Sequence, residues 1–112
     1  MQQLAEKSAN AGGCKICPKF THTFSILGKK WNGLIIEALL VKDPMRFKDL
    51  SASINGCSDR VLCERLKELE DEHIVVRNTY KGENRIDYSL TERGQELREV
   101  MSTVHRWSDK WN

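Results

Sequence analysis

The chain has 112 residues, 39% of them hydrophobic and 30% charged, with a net charge of +2. That length allows one domain with a modest core, and the composition is that of a globular chain. It excludes a membrane span, because no apolar run approaches the roughly 20 residues needed. Bulk charge gives no pointer to nucleic acid either, since residues 42–85 hold nine Lys/Arg against nine Asp/Glu.

The first twenty residues lack the apolar stretch of a secretory signal. The expected location is therefore the cytoplasm, with no membrane partner. There, the four cysteines, Cys14, Cys17, Cys57 and Cys63, point to free thiols, metal ligands or redox chemistry rather than permanent disulfides.

Residues 1–13, MQQLAEKSANAGG, are small and polar and read as a flexible arm ahead of a domain over 14–112. Pro18 suits a first helical position, where its missing amide would be unpaired anyway. Phe20, Phe24 and Leu27 then repeat at helical spacing until Gly28 ends the helix. KKWNGLIIEALLVK is apolar nearly all round and predicts a helix buried in the middle of the domain. Asp43-Pro44 breaks it. Phe47, Leu50 and Ile54 mark a short helix, and Asn55-Gly56 is a strong turn signal.

SDRVLCERLKELEDEH predicts a longer helix capped by Ser58, with Leu62, Leu66 and Leu69 as its buried stripe. IVVRNTY reads as a strand, KGEN as a turn, and RIDYSL as a second strand with Arg85, Asp87 and Ser89 on a wet face. Thr91 caps one last long helix. Its stripe of Leu97, Val100/Met101, Val104, Trp107 and Trp111 is either core or a seam with a second copy. This order of elements is that of a winged helix-turn-helix. The expected fold is mainly α with a small β-hairpin.

The segments CPKFTHTFSILGKKWNGLIIEALL, RFKDL, VLCERLKELEDEHIVVR and YSLTERG carry a closer likeness. From Cys17 to about Trp111 the chain resembles the HxlR-type, MarR-like family of bacterial winged-helix transcription regulators. CPK followed by LGKKWNGLII is more similar to the family's thiol-based branch, whose members respond to quinones, diamide or hypochlorite. The resemblance implies a homodimer joined through the first and last helices, with Phe20, Phe24, Val100, Val104, Trp107 and Trp111 at the seam. It implies double-stranded DNA with a palindromic operator as partner, and usually repression. No enzyme activity, metal or cofactor is expected. The sequence departs from the family at Asp43 and His73, where glycine is common, and in a short wing, KGENR, without prolines. It also ends at Asn112 without the cysteine that pairs across the dimer in some redox members, so that pairing is not expected.

A major groove about 12 Å wide admits one helix. Opposite the leucine stripe, the helix after Ser58 presents Ser58, Asp59, Arg60, Cys63, Glu64 and Lys67. Arg60 is the expected guanine contact, because its fork fits O6 and N7, and Lys67 is expected at phosphate. The acidic run Glu70-Asp71-Glu72 must point away from the duplex. Lys81, Asn84 and Arg85 at the wing are further candidates, and Lys48 on the short helix and the Lys29/Lys30 pair are candidates for phosphate contacts.

Cys14 and Cys17 have CxxC spacing, but Cys57 and Cys63 do not complete a finger. No βαβ setting supports a thioredoxin-like pair. Cys17 at a helix N-terminus is either a small capping residue or a sensor thiol, because the positive end of a helix favours thiolate. The resemblance selects the sensor, responding to an oxidant or electrophile. Cys14 is then a resolving partner or a bystander. Cys57 is expected to be packed. Two other functions fit the same elements: a winged helix that binds protein rather than DNA, and a regulator with inert cysteines that binds a small molecule.

Overall fold

The structure, a computed structural model, describes residues 15–112. Cys14 and the arm over 1–13 lie outside the described residues. Helix α1 (Pro18–Leu27) begins at Pro18 and stops at Gly28, where a Cβ would lie 2.7 Å from the Phe24 carbonyl oxygen. Helix α2 (Asn32–Val41) follows after a tight turn in which Trp31 takes a positive φ of 83°. Asn32 Nδ2 donates to the Ile26 carbonyl at 2.9 Å and so locks the end of α1 to the start of α2.

Helices α3 (Phe47–Ser53) and α4 (Asp59–Asp71) meet across the expected Asn55-Gly56 turn. Gly56 has φ +88°, a conformation that glycine adopts without a Cβ clash. Strands β1 (Val75–Thr79) and β2 (Ile86–Leu90) pair antiparallel, with Val75 opposite Leu90 and Thr79 opposite Ile86. Met45 bridges to Tyr88 on the other side of β2. Glu83 N–H donates to the Tyr80 carbonyl at 3.1 Å, and Gly82 at φ +77° completes the hairpin turn.

The core lies where α2, α3, α4 and the base of the hairpin converge. Ile35, Ile36, Leu39, Leu50, Leu62 and Leu69 are fully buried there. Each such side chain contributes roughly 1.5–3 kcal/mol by leaving water. Gly94 permits the closest approach among the described glycines, since a Cβ there would collide with the Ile74 carbonyl oxygen and the Leu90 side chain.

Three expectations need correction. α2 is not buried all round: Leu34 and Val41 are exposed, because the core reaches only the side that carries Ile35, Ile36 and Leu39. The wet face of β2 is not wet at Asp87, which is 2% exposed, whereas Ile86 is exposed at the far end of the hairpin, beyond the core. The last helix is two helices, α5 (Glu92–Gln95) and α6 (Leu97–Trp111), with Glu96 between them. α6 buries no residue, and only Leu97 and Met101 pack partly against the core. Val100, Val104, Trp107 and Trp111 of its stripe therefore lie outside the core of the chain.

Candidate nucleic-acid interface and sensor thiol

α4 directs its leucines inward and leaves Arg60, Cys63, Glu64 and Lys67 on the exposed side. The helix start is fixed by short polar contacts. Val61 N–H donates to Ser58 Oγ at 3.2 Å, and Ser51 Oγ donates to Asp59 Oδ1 at 2.8 Å. Ser58 thus caps α4, and Asp59 ties its first turn to Ser51 of α3. Arg60 Nη1 lies 2.9 Å from Glu64 Oε2, one turn on, with the Arg60 side chain 78% exposed. Arg65 faces elsewhere: its Nε donates to the Lys30 carbonyl at 3.2 Å, and its Nη1 reaches Glu68 at 3.4 Å. Lys48 stands exposed on α3.

The wing is built around a carboxylate that periodicity did not reveal. Asp87 accepts from Asn78 Nδ2 at 2.9 Å, from the Tyr80 hydroxyl at 2.9 Å and from Arg85 Nε at 3.3 Å. Burial pushes the Asp87 carboxyl up, but the bonds from Asn78, Tyr80 and Arg85, with the Arg85 charge, outweigh it and hold it below its ordinary value. The Arg85 guanidinium also stacks on Tyr80, 4.2 Å from the ring centroid. Lys81 and Asn84 are exposed in the same loop. The signal for this cluster was the cross-strand pairing of Asn78 with Asp87, which a hairpin register would have exposed. Next to it, burial raises the Tyr88 phenol, and a hydrogen bond with Arg77 opposes that.

Cys17 is the N-cap residue of α1 and is exposed. Its side chain makes no capping bond. Its carbonyl accepts from Thr21 N–H at 3.0 Å and Thr21 Oγ at 3.2 Å, which fixes the backbone and leaves Sγ open. Cys57 is partly buried against the core, as expected, and its thiol donates to the Ser58 carbonyl at 3.6 Å. Cys63 is exposed on the outer side of α4. Phe20 and Phe24 stand out from α1 with ring centroids 4.8 Å apart. Val100, Val104, Trp107 and Trp111 stand out from α6.

A cavity of about 130 Å³ between α1 and α6 is lined by Thr23, Ile26, Leu27, Ile74, Arg93 and Leu97. It falls short of the ~300 Å³ at which ordinary ligand sites begin. Among the described residues no helix is long and apolar enough to cross a membrane.

Residues 26–112 match the HxlR-like helix-turn-helix family. The chain belongs to that family. It is 42% identical over 100 residues to the transcriptional regulator YodB of Bacillus subtilis, covering 88% of both chains. The crystal structure of quinone-bound YodB superposes with a TM-score of 0.74 at 43% identity, covering 85% of this chain and all of that one. The redox regulator HypR in its oxidised form superposes with a TM-score of 0.76 at 28% identity, over 86% of this chain and 98% of that one. The HxlR-family chain described here is accordingly a winged helix-turn-helix transcription regulator and not an enzyme.

Proposed function

We propose that this regulator is a homodimeric repressor whose operator affinity is lowered when an electrophile or oxidant reacts at Cys17. One observation carries the reading. The exposed Cys17 thiol heads a helix whose outer side chains, Phe20 and Phe24, are more than half exposed among the described residues. Covering them with a second copy places the reactive group beside the seam. A quinone bound to YodB, a relative of the same length class, supports the choice of signal.

In this reading α4 enters the major groove of a palindromic double-stranded operator. Arg60 reads a base edge, with Cys63 and Glu64 beside it and Ser58 and Asp59 at the helix start. Lys67 and Lys48 meet phosphate. Lys81, Asn84 and Arg85 approach the adjacent minor groove. The α1 and α6 stripes of Phe20, Phe24, Val100, Val104, Trp107 and Trp111 form the dimer and set the spacing of the two copies of α4. Half-sites lie about 34–36 Å apart per helical turn, so a displacement of a few ångströms at the seam disfavours binding.

The chemistry balances without a further reagent. The Cys17 thiolate adds to a quinone ring carbon, a C–S bond forms, and the ring takes up the thiol's proton to become a hydroquinone thioether. Cys14 is an accessory thiol for disulfide formation with other oxidants. The deciding experiment is a gel shift with wild type and Cys17→Ser, each with and without benzoquinone. Release should occur in wild type alone, and release by the Ser variant would refute the assignment.

A further inference from the structure

α1 is held thinly by its own subunit. Ile26 is its one buried side chain among the described residues. A helix with so narrow an apolar anchor needs other attachments to stay in place. Besides the Asn32 bond to the Ile26 carbonyl, those attachments go to α4 and its C-cap residue, Glu72. His22 Nε2 donates to Glu72 Oε1 at 3.0 Å. Lys29, just past the Gly28 cap, donates through Nζ to Glu68 Oε2 at 2.9 Å.

Arg65, whose Nε holds the Lys30 carbonyl at 3.2 Å, joins the same Glu68 oxygen. Arg65, Glu68 and Glu72 stand at i, i+3 and i+7, on one side of α4. That helix therefore has three distinct sides. Leucines enter the core, Arg60, Cys63 and Lys67 face outward, and a polar stripe grips residues 22–30.

We propose that the His22–Glu72 and Lys29–Glu68 contacts are the linkage through which an event at Cys17 reaches the recognition helix of the same subunit, with His22 as the positioning residue. The inference rests on Cys17 as the sensor and adds the route within the subunit. His22 is on the same continuous helix as Cys17, so a tilt at the thiol end displaces the imidazole. Both contacts seize the C-terminal half of α4, while its N-terminal half faces the outer, base-reading side. A pull there swings the helix about its leucine stripe. Exposed pairs of this kind are individually weak. Weak pairs suit a switch, because they bias two arrangements without locking either.

The test uses the full chain, a duplex carrying its own promoter and benzoquinone as the probe. Adduct formation is verified by intact mass for each protein. The operator Kd is then compared before and after modification for wild type, Cys17→Ser, His22→Glu and the reversed pair His22→Glu/Glu72→Lys. In wild type the adduct weakens binding. In His22→Glu, which sets like charges against each other, the adduct should form equally, but its effect on Kd should shrink about fivefold, near the lower end of typical allosteric coupling. The reversed pair should restore the wild-type ratio. A wild-type ratio in His22→Glu, or no recovery in the reversed pair, overturns the linkage. Release that persists in Cys17→Ser, or no release by wild type, overturns the sensor reading itself and is seen before His22 is touched.

Discussion

The Thr91 hydroxyl donates to the His73 carbonyl at 2.6 Å and accepts from Gly94 N–H at 3.1 Å, so one side chain joins the exit of α4 to the start of α5. His73 itself sits at φ +60°. Around it, Ile74 N–H donates to the Leu69 carbonyl at 3.0 Å and His73 N–H to the Glu70 carbonyl at 2.9 Å. That is the two-bond helix stop that usually carries glycine at its left-handed position. α4 therefore ends on a residue whose Cβ opposes its own backbone.

His73→Gly should stabilise the fold. A side chain in the left-handed region costs about 1–2 kcal/mol, and the greater freedom of unfolded glycine returns part of it. A net gain of roughly 1 kcal/mol raises Tm by about 4–8 °C for a domain of this size. Thermal unfolding by circular dichroism checks it, and a lower Tm would show that the imidazole makes a contact worth more than the strain.

Arg60→Ala should weaken specific operator binding by about 1–3 kcal/mol. The Glu64 partner does not oppose this. A pair at i, i+4 is worth only a few tenths of a kcal/mol, so docking releases Arg60 at little cost. Lys67→Ala should differ in kind, weakening all duplexes alike and flattening the salt dependence by about one phosphate contact. Gel shifts on specific and scrambled duplexes at several salt concentrations separate the two, and unchanged operator affinity in Arg60→Ala would remove it from the interface.

The wing should loosen in acid. Its Asp87 carboxyl lies below the ordinary value of 3.8 in the folded chain. Between those two values the unfolded chain binds more protons than the folded one, so lowering the pH favours unfolding. The contribution is fully present above pH 3.8 and is lost as the pH falls through the folded value. Asp87→Asn should be less stable at neutral pH and should lack this acid-dependent loss. Parallel acid titrations by near-ultraviolet circular dichroism would contradict the account if both proteins lost signal along the same curve.

Much of this architecture was legible because it is local. Pro18 after Cys17, the Asn55-Gly56 turn and the Leu62, Leu66, Leu69 stripe each declare themselves within a few residues. Asp87 did not, because alternation alone assigned it to solvent. Its burial depends on Asn78 and Tyr80, nine and seven residues away across the hairpin. The His22–Glu72 contact spans 50 residues and belongs to the tertiary fold alone. α2 misled for another reason. A segment apolar on every side has no phase, so periodicity could not separate Ile35 and Leu39 from the exposed Leu34 and Val41.

The α6 stripe supports the last expectation. Trp107 and Trp111 are 61% and 65% exposed, and Val104 and Val100 lie one and two turns before Trp107 on the same side. Aromatic side chains of this size bury about 150–250 Å² each when covered, and tryptophan is enriched among residues that dominate interface energy. In a twofold dimer each substitution removes the side chain twice. Four side chains at about 2 kcal/mol each would sum to about 8 kcal/mol if additive, and even half of that means that Trp107→Ala/Trp111→Ala should raise the dimer dissociation constant by several hundredfold, at tenfold per 1.4 kcal/mol. None of α6 is buried in its own subunit, so monomer folding should survive, with an unchanged far-ultraviolet spectrum. Sedimentation equilibrium at micromolar concentration should find wild type dimeric and the double variant monomeric. A double variant that remains dimeric would move the seam to another surface of the chain.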